Sequence, residues 1–305
     1  MSFSSPNSTP LTHAHDWAEP PRLRDFIELT KPRLSLMSVV SAILGYYAAG
    51  PAGGVGAALV VGLGCALAAF GAATLNQWWE READSRMART ADRPLANGRM
   101  DPRVALVYGL LLSLAGVAVL YWGTNAIASF LAFATVALYV LVYTPMKRRT
   151  PWALEVGAIP GALPPLIGWM AAGGGMSGLG WILFAYLFVW QIPHFLAISW
   201  MCRSDYAAGG FKMLAVSDAS GQQVARKALV WTILMVGVTF LPLFAMGFGW
   251  AWISATILLA LYILRPAYRF WKDPAAPRAA NRLFAATLVH LPIYLSFLAA
   301  DRFLF

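Results

Sequence analysis

The chain has 305 residues, of which 59% are hydrophobic and only 12% are charged. Soluble domains typically have about a quarter of their residues charged, so this composition excludes an ordinary soluble enzyme and, for most of the chain, intrinsic disorder. The formal net charge of +9 would suit nucleic acid, but in a membrane protein it more often reflects topology and contact with anionic lipid. The sequence therefore predicts a protein that spans the lipid bilayer several times and has no nucleic-acid partner.

Taken from the N-terminus, residues 1–25 are predicted to form a disordered polar cytoplasmic tail, and 26–305 a single transmembrane domain. Nine mostly apolar runs follow the tail, each close to the length of about 20 residues that a helix needs to cross the hydrocarbon core. We therefore predict an all-α integral membrane protein with nine transmembrane helices. The runs are approximately Leu34–Ala49, Val55–Trp79, Val104–Trp122, Asn125–Tyr143, Trp152–Ala172, Leu179–Trp200, Ala228–Met246, Trp250–Leu264 and Leu283–Ala300.

The basic residues are divided unevenly between the two sides of these runs. All but one of the 23 Lys and Arg residues lie in the N-terminal segment or in the connections after the second, fourth, sixth and eighth runs. Because connections rich in Lys and Arg stay in the cytoplasm, the N-terminus is predicted to be cytoplasmic and the C-terminus external, in a bacterial inner (plasma) membrane. Polar chemistry is then expected at the cytoplasmic face.

An acidic motif follows the second run. Asn76, Glu80 and Asp84 are four residues apart, so on a helix they share one face. Hard cations such as Mg²⁺ prefer these oxygen donors, and Mg²⁺ typically takes one or two carboxylates together with water and phosphate oxygens. The alternative interpretation is a solvated helix end whose acids pair with neighbouring arginines.

A series of arginines comes directly after these acids. Arg86, Arg89, Arg93 and Arg99 lie in the next 15 positions, and guanidinium groups are well suited to bind phosphate oxygens. Carboxylates that can bind a metal, followed by arginines that can bind phosphate oxygens, together predict a diphosphate site. Some of these arginines are expected to serve topology or lipid contact instead.

The segment Asn76–Gly98 resembles the N-x-x-x-[DE]-x-x-x-D…M-x-R-T-x-x-R-P-L-x-x-G signature of the UbiA prenyltransferase superfamily. Two further parts resemble, more narrowly, the protoheme IX farnesyltransferases, or heme O synthases. One part is Tyr143–Thr150 with Gly157–Trp169, and the other is Trp190–Phe195 with Asp205–Leu214. Together the matches extend over most of residues 30–215.

This resemblance implies a fold, a reaction and a set of partners. The nine helices would surround a central cavity that opens to the cytoplasmic face and to lipid. The reaction would be the Mg²⁺-dependent transfer of a farnesyl group from farnesyl diphosphate to the 2-vinyl group of heme b, with addition of water, giving heme O and diphosphate. The expected partners are farnesyl diphosphate, heme b and the bilayer, and the resemblance leaves open whether a heme A synthase docks onto the chain.

The resemblance also assigns candidate roles in the metal and diphosphate site. Asp205 would join the acidic motif, although no second acid stands near it before Asp218. Tyr143 would stabilise an allylic cation, or would be an interfacial aromatic residue. The basic cluster that begins at Lys147 would contribute a diphosphate ligand, or would only anchor the helix end. The implied metal ligands are Asn76, Glu80, Asp84 and Asp205, and the implied diphosphate ligands are Arg89, Arg93, Lys147, Arg148 and Lys212.

Trp190, His194 and Phe195 are the candidate heme-binding residues. For His194 the alternative is a structural role next to Pro193, which kinks its helix. His290, inside the ninth run, is expected to form an interhelical hydrogen bond, because polar residues at membrane depth usually face the protein interior.

Two other functions compete with this interpretation. One is a UbiA-type prenyltransferase that acts on an aromatic quinone precursor, against which the segments Tyr143–Thr150 and Trp190–Phe195 argue. The other is a transporter with the acids as a cation site. Transporter coupling sites usually lie near the bilayer midplane in broken helices, whereas these acids stand at a helix end beside arginines, which favours a diphosphate.

Overall fold

A computed structural model describes residues 21–50, 53–175, 178–245 and 249–304, and within these ranges all regular structure is helical. The fourth predicted run contains a π-helical segment, Leu138–Tyr143. The α-helices are α1 Leu23–Leu29, α2 Pro32–Ala48, α3 Gly54–Asp84, α4 Pro102–Gly123, α5 Ala126–Ala137, α6 Thr144–Met146, α7 Ala153–Ala171, α8 Leu179–Met201, α9 Arg203–Ala208, α10 Leu214–Ser217, α11 Gln222–Thr239, α12 Pro242–Ala245, α13 Trp250–Lys272 and α14 Ala279–Leu304.

Within the described residues each of the nine predicted runs coincides with helical structure, but fewer than nine stretches meet the length and hydropathy expected of a membrane crossing. Six stretches in the described part of the chain are long and apolar enough to cross a membrane. The helices α2, α7 and α14 occupy the other three predicted positions without being among those six. The six stretches are Gly54–Asp84, Pro102–Gly123, Ala126–Met146, Leu179–Met201, Gln222–Phe244 and Trp252–Lys272.

The length of α2 explains why this helix is not among the six membrane-length stretches. Its 17 residues extend about 26 Å at 1.5 Å per residue, somewhat less than the roughly 30 Å of the hydrocarbon core. The all-α membrane architecture is therefore confirmed, and the count of nine crossings stays a prediction.

Helix boundaries differ from the predicted runs where a helix continues into polar sequence. Helix α3 extends to Asp84 and α13 to Lys272, beyond the last apolar residues. At the N-terminus, α1 begins at Leu23, so the predicted tail at 1–25 ends too late. Residues 1–20 lie outside the described residues.

The helices form two groups that meet at α7. Helices α2, α3, α4 and α5 pack consecutively, and α8, α11, α13 and α14 form the second group, with α7 contacting α2, α5 and α8. Helices α2 and α7 approach very closely, because a Cβ atom on Gly168 would lie 1.8 Å from the carbonyl oxygen of Ala42. This contact holds the two groups together.

A cavity of about 410 Å³ lies where the C-terminal end of α13 meets the N-terminal end of α14, and it is lined by residues including Arg269, Lys272 and Arg282. It is remote in sequence from the acidic motif of α3. The central cavity that the resemblance implies therefore stays a prediction.

Candidate active site

The acidic motif lies on the inward face of α3, at its C-terminal end. Asn76, Glu80 and Asp84 are 2%, 6% and 1% exposed, so the prediction that they share one face is confirmed. The alternative of a solvated helix end is wrong for these three. It describes instead the neighbouring pair Arg81 and Glu82, whose side chains are partly exposed and 3.8 Å apart.

Each buried carboxylate has a cationic partner from elsewhere in the chain. Lys147 Nζ lies 2.9 Å from Glu80 Oε1, and Arg93 Nη1 lies 2.6 Å from Asp84 Oδ2. Burial lowers the pKa of Lys147, but the Glu80 carboxylate outweighs it, so the net pKa lies above its usual value. Two predicted diphosphate ligands, Arg93 and Lys147, thus stand directly against the predicted metal ligands.

Asn76 connects three helical segments through its amide group. Its Oδ1 accepts a hydrogen bond from Lys31 Nζ at 3.3 Å, and its Nδ2 donates to Thr144 Oγ1 at 3.1 Å. The Thr144 hydroxyl in turn donates to the carbonyl oxygen of Tyr139 at 2.8 Å. The side-chain orientation of Asn76 is therefore fixed from both sides.

Lys31 is the site residue that sequence reasoning missed. It precedes the first predicted run, where a lysine ordinarily indicates only the topology. Burial, reinforced by the Arg93 guanidinium, lowers its pKa to about 7, while Glu80 opposes this shift. The one sequence signal is its place directly before Pro32, where a helix starts.

The π segment brings Tyr143 and Lys147 to this site. Lys147 Nζ lies 4.6 Å from the centroid of the Tyr143 ring, within cation–π range. Gly157 of α7 makes room for that ring, because a Cβ there would lie 2.5 Å from its edge carbons. Tyr143 therefore presents its ring face to the charged end of the site.

The segment Asp205–Leu214 packs against the two earlier segments, Asn76–Gly98 and Tyr143–Thr150. The Lys212 N–H donates to the carbonyl oxygen of Lys147 at 2.8 Å. Arg89 stacks over the Tyr206 ring, with 5.0 Å between guanidinium carbon and centroid. The side chains of Arg89, Arg148 and Lys212 are exposed, so these three line the outer surface of the loops.

Asp205 is a half-buried residue of the short helix α9 and does not belong to α3. In the part of the chain that the structure describes, no three His, Cys, Asp or Glu side chains already converge as a metal-binding group. The role of Asp205 as a fourth metal ligand therefore stays a prediction.

The candidate heme residues lie on α8, where it packs against α14. Trp190 Nε1 donates to the carbonyl oxygen of Thr287 at 2.9 Å, and His194 Nδ1 lies 2.8 Å from Thr287 Oγ1. Phe195 is 39% exposed. Tyr186 Oη and His290 Nδ1 are 2.9 Å apart in the same interface, which confirms the interhelical hydrogen bond expected for His290.

Thr287 ties His194 to α14. Its hydroxyl lies 2.8 Å from His194 Nδ1 and also donates to the carbonyl oxygen of Phe284 at 2.6 Å. The orientation of the His194 ring is therefore fixed by its contact with α14.

Comparison with known proteins places the chain in a family. The model of the UbiA prenyltransferase family matches residues 38–288. The chain belongs to the UbiA prenyltransferase family. It is 41% identical to a protoheme IX farnesyltransferase of Opitutus terrae over 97% of this chain and 98% of the relative. It is 39% identical to a protoheme IX farnesyltransferase of Solibacter usitatus over 92% and 99%.

A solved structure of the same family shares the fold. A UbiA homologue from Archaeoglobus fulgidus, bound to GPP and Mg²⁺, superimposes with a TM-score of 0.62 at 14% identity, covering 90% of this chain and 99% of that one. The likeness supports the helical architecture and not the identity of the substrate, because one fold can host many functions.

The donor set of the acidic motif fits Mg²⁺. Asp84 Oδ1 is buried and accepts no hydrogen bond, and leaving such an oxygen without a partner is costly. Asn76, Glu80 and Asp84 offer the amide and carboxylate oxygens that Mg²⁺ prefers, and the ion needs only one or two carboxylates when phosphate and water complete its shell. The arrangement can therefore bind a metal together with a diphosphate.

Proposed function

We propose that this UbiA prenyltransferase transfers the farnesyl group of farnesyl diphosphate to the 2-vinyl group of heme b, with addition of water, giving heme O and diphosphate. The observation that carries the proposal is the pair of buried carboxylates, Glu80 and Asp84, each opposed by a basic side chain at one helix end. The names of the two relatives support heme as the acceptor. The reaction is proposed to take place at the cytoplasmic face of a bacterial inner membrane.

Breaking the bond between the farnesyl carbon and the diphosphate oxygen requires neutralisation of the departing charge. Asn76, Glu80 and Asp84 would hold Mg²⁺, which supplies part of that charge. Lys147 and Arg93 supply the rest, since each can exchange its carboxylate partner for a phosphate oxygen. Arg89, Arg148 and Lys212 would hold the diphosphate from the outer surface of the loops, and Asp205 would share the Mg²⁺ or orient the diphosphate.

Tyr143 stabilises the positive charge that develops on the allylic carbon. Its ring face already accommodates the Lys147 ammonium at 4.6 Å, so the same face can stabilise a carbocation once Lys147 has turned to the diphosphate. Exclusion of water preserves the cation until the vinyl carbon attacks it. The new carbon–carbon bond leaves a cation beside the porphyrin, which water captures with loss of one proton.

Trp190, His194 and Phe195 are proposed to contact the heme. The rings of Trp190 and His194 stack with centroids 4.8 Å apart, which suits a flat aromatic ligand. The imidazole of His194 is a candidate hydrogen-bond partner of the heme or ligand of its iron.

A direct test is to express the chain in bacterial cells that lack heme O and to analyse the extracted hemes by chromatography and mass spectrometry. We expect the mass of the hydroxyethylfarnesyl derivative of heme b. The Asp84→Asn variant is the matched control, since it keeps size and helix position and removes the charge, and it should give no product. Prenylation of a hydroxybenzoate with heme left unmodified would favour the alternative, a quinone-precursor prenyltransferase.

A further inference from the structure

Lys31 has an unusual backbone conformation at the junction of α1 and α2. Its φ and ψ angles are 46° and 57°, in the left-handed region. Among the described residues only Lys31 and Arg278 have a positive φ without being glycine. Such a conformation costs free energy for a residue with a Cβ atom, and it persists where the surrounding structure imposes it.

Hydrogen bonds on both sides of Lys31 impose the conformation. Gln77 Nε2 donates to the carbonyl oxygen of Leu29 at 2.7 Å, and Ser35 Oγ donates to the carbonyl oxygen of Thr30 at 2.8 Å. Gln77 directly follows Asn76 on α3. The helix that carries the acidic motif therefore also fixes the turn that carries Lys31.

The turn directs the Lys31 ammonium into the acidic motif, but not onto a carboxylate. Its hydrogen-bond partner is the amide oxygen of Asn76, at 3.3 Å. Glu80 and Asp84 are paired with Lys147 and Arg93, and Lys31 forms no ion pair within the described ranges. The site thus contains three basic side chains and two carboxylates, so the protonated Lys31 is a cation without a carboxylate partner.

We infer that Lys31 is a further diphosphate-binding residue, presented to the substrate by the left-handed turn before α2. The inference rests on the proposed function, because it assigns one more ligand to the same substrate. A complex of Mg²⁺ with a diphosphate ester keeps a net negative charge, which the uncompensated cation complements. The lysine ammonium is a compact point charge suited to phosphate oxygens.

The Lys31→Gly variant separates binding from folding. Glycine adopts a positive φ without a steric penalty, so the variant removes the ammonium and relieves the strained turn at once. Arg278→Gly is the matched control, since it removes a cation and a positive φ of 63° at the connection between α13 and α14. The measurement is the affinity of the detergent-solubilised protein for inorganic diphosphate with Mg²⁺, by titration calorimetry, together with thermal unfolding.

We expect both glycine variants to unfold at or above the temperature of the parent. Only Lys31→Gly should bind diphosphate at least tenfold more weakly, and Lys31→Arg should recover most of the affinity. In an Asn76→Ala background, Lys31→Gly should still weaken binding, because Lys31 contacts the diphosphate itself.

Three results would overturn the inference. The first is an affinity of Lys31→Gly within twofold of the parent. The second is failure of that variant to fold, which would assign Lys31 to structure. The third is no further loss in the Asn76→Ala background, which would reduce Lys31 to positioning Asn76. A parent that binds Mg²⁺ and diphosphate but leaves heme unmodified would contradict the proposed function alone.

Discussion

Breaking the buried ion pair between Glu80 and Lys147 should destabilise the protein, and the two ways of breaking it should differ. The Glu80 and Lys147 side chains are 5% and 12% exposed. At 2.9 Å between Nζ and Oε1, Coulomb's law with an effective dielectric constant of about 20 gives roughly 6 kcal/mol. Desolvation offsets part of this, and removing one partner of a buried pair typically costs about 3–5 kcal/mol.

The charges around the pair determine which single variant is worse. Lys147→Met leaves Lys31 and Arg93 facing Glu80 and Asp84, which is balanced. Below pH 7, where Lys31 is mostly protonated, Glu80→Gln leaves the three cations facing Asp84 alone, so their mutual repulsion adds to the loss. Under these conditions we therefore expect Glu80→Gln to cost more free energy of unfolding than Lys147→Met.

The assay is a double-mutant cycle by thermal unfolding in detergent. Each single variant should unfold roughly 6–20 °C below the parent, at about 2–4 °C per kcal/mol, and the double variant should be more stable than Glu80→Gln alone. All three variants should lose heme O formation. Additive effects, with no coupling between the two positions, would refute the pairing, and a larger loss for Lys147→Met would refute the charge count.

Three further results are expected. Glu80→Asp should keep more activity than Glu80→Gln in a heme O assay, because charge matters more than reach when Mg²⁺ keeps several waters; equal activities would contradict this. His194→Ala should reduce heme O formation and leave Mg²⁺-dependent farnesyl diphosphate binding within about twofold of the parent. The control Thr287→Val removes only the hydroxyl beside the His194 ring and should cost about 1 kcal/mol of stability by thermal unfolding. If His194→Ala lost diphosphate binding, the histidine would have been assigned to the wrong substrate. In a variant without native cysteines, an impermeant thiol reagent added outside intact cells should label Trp250→Cys and spare Ala88→Cys, and the reverse pattern would invert the topology.

The positions of the helices could be predicted from the sequence because apolar runs of membrane length are a local signal. Their ends could not, since α3 and α13 continue into polar residues that a hydropathy pattern treats as loop. In the same way, α1 is too short and too polar to be detected by hydropathy, and its helical conformation is evident only from the folded chain.

The acidic face of α3 was predictable for a similar reason. The spacing of Asn76, Glu80 and Asp84 depends only on helical periodicity. The partners of these residues depend on tertiary packing, so the sequence alone could pair neither Arg93 with Asp84 nor Lys147 with Glu80. Lys31 was missed because a lysine ahead of a membrane helix is ordinarily a marker of orientation.

The π segment Leu138–Tyr143 sets the direction in which the residues after it face the active site. A π turn accommodates one residue more than an α turn of the same rise, which rotates everything after it. Straightening the same residues into α geometry would therefore swing Tyr143 and Lys147 by about 100° around the axis, whereas deleting one residue between Leu138 and Val142 at the same time would leave them facing as they do now. The π geometry of this stretch decides which basic side chain faces Glu80.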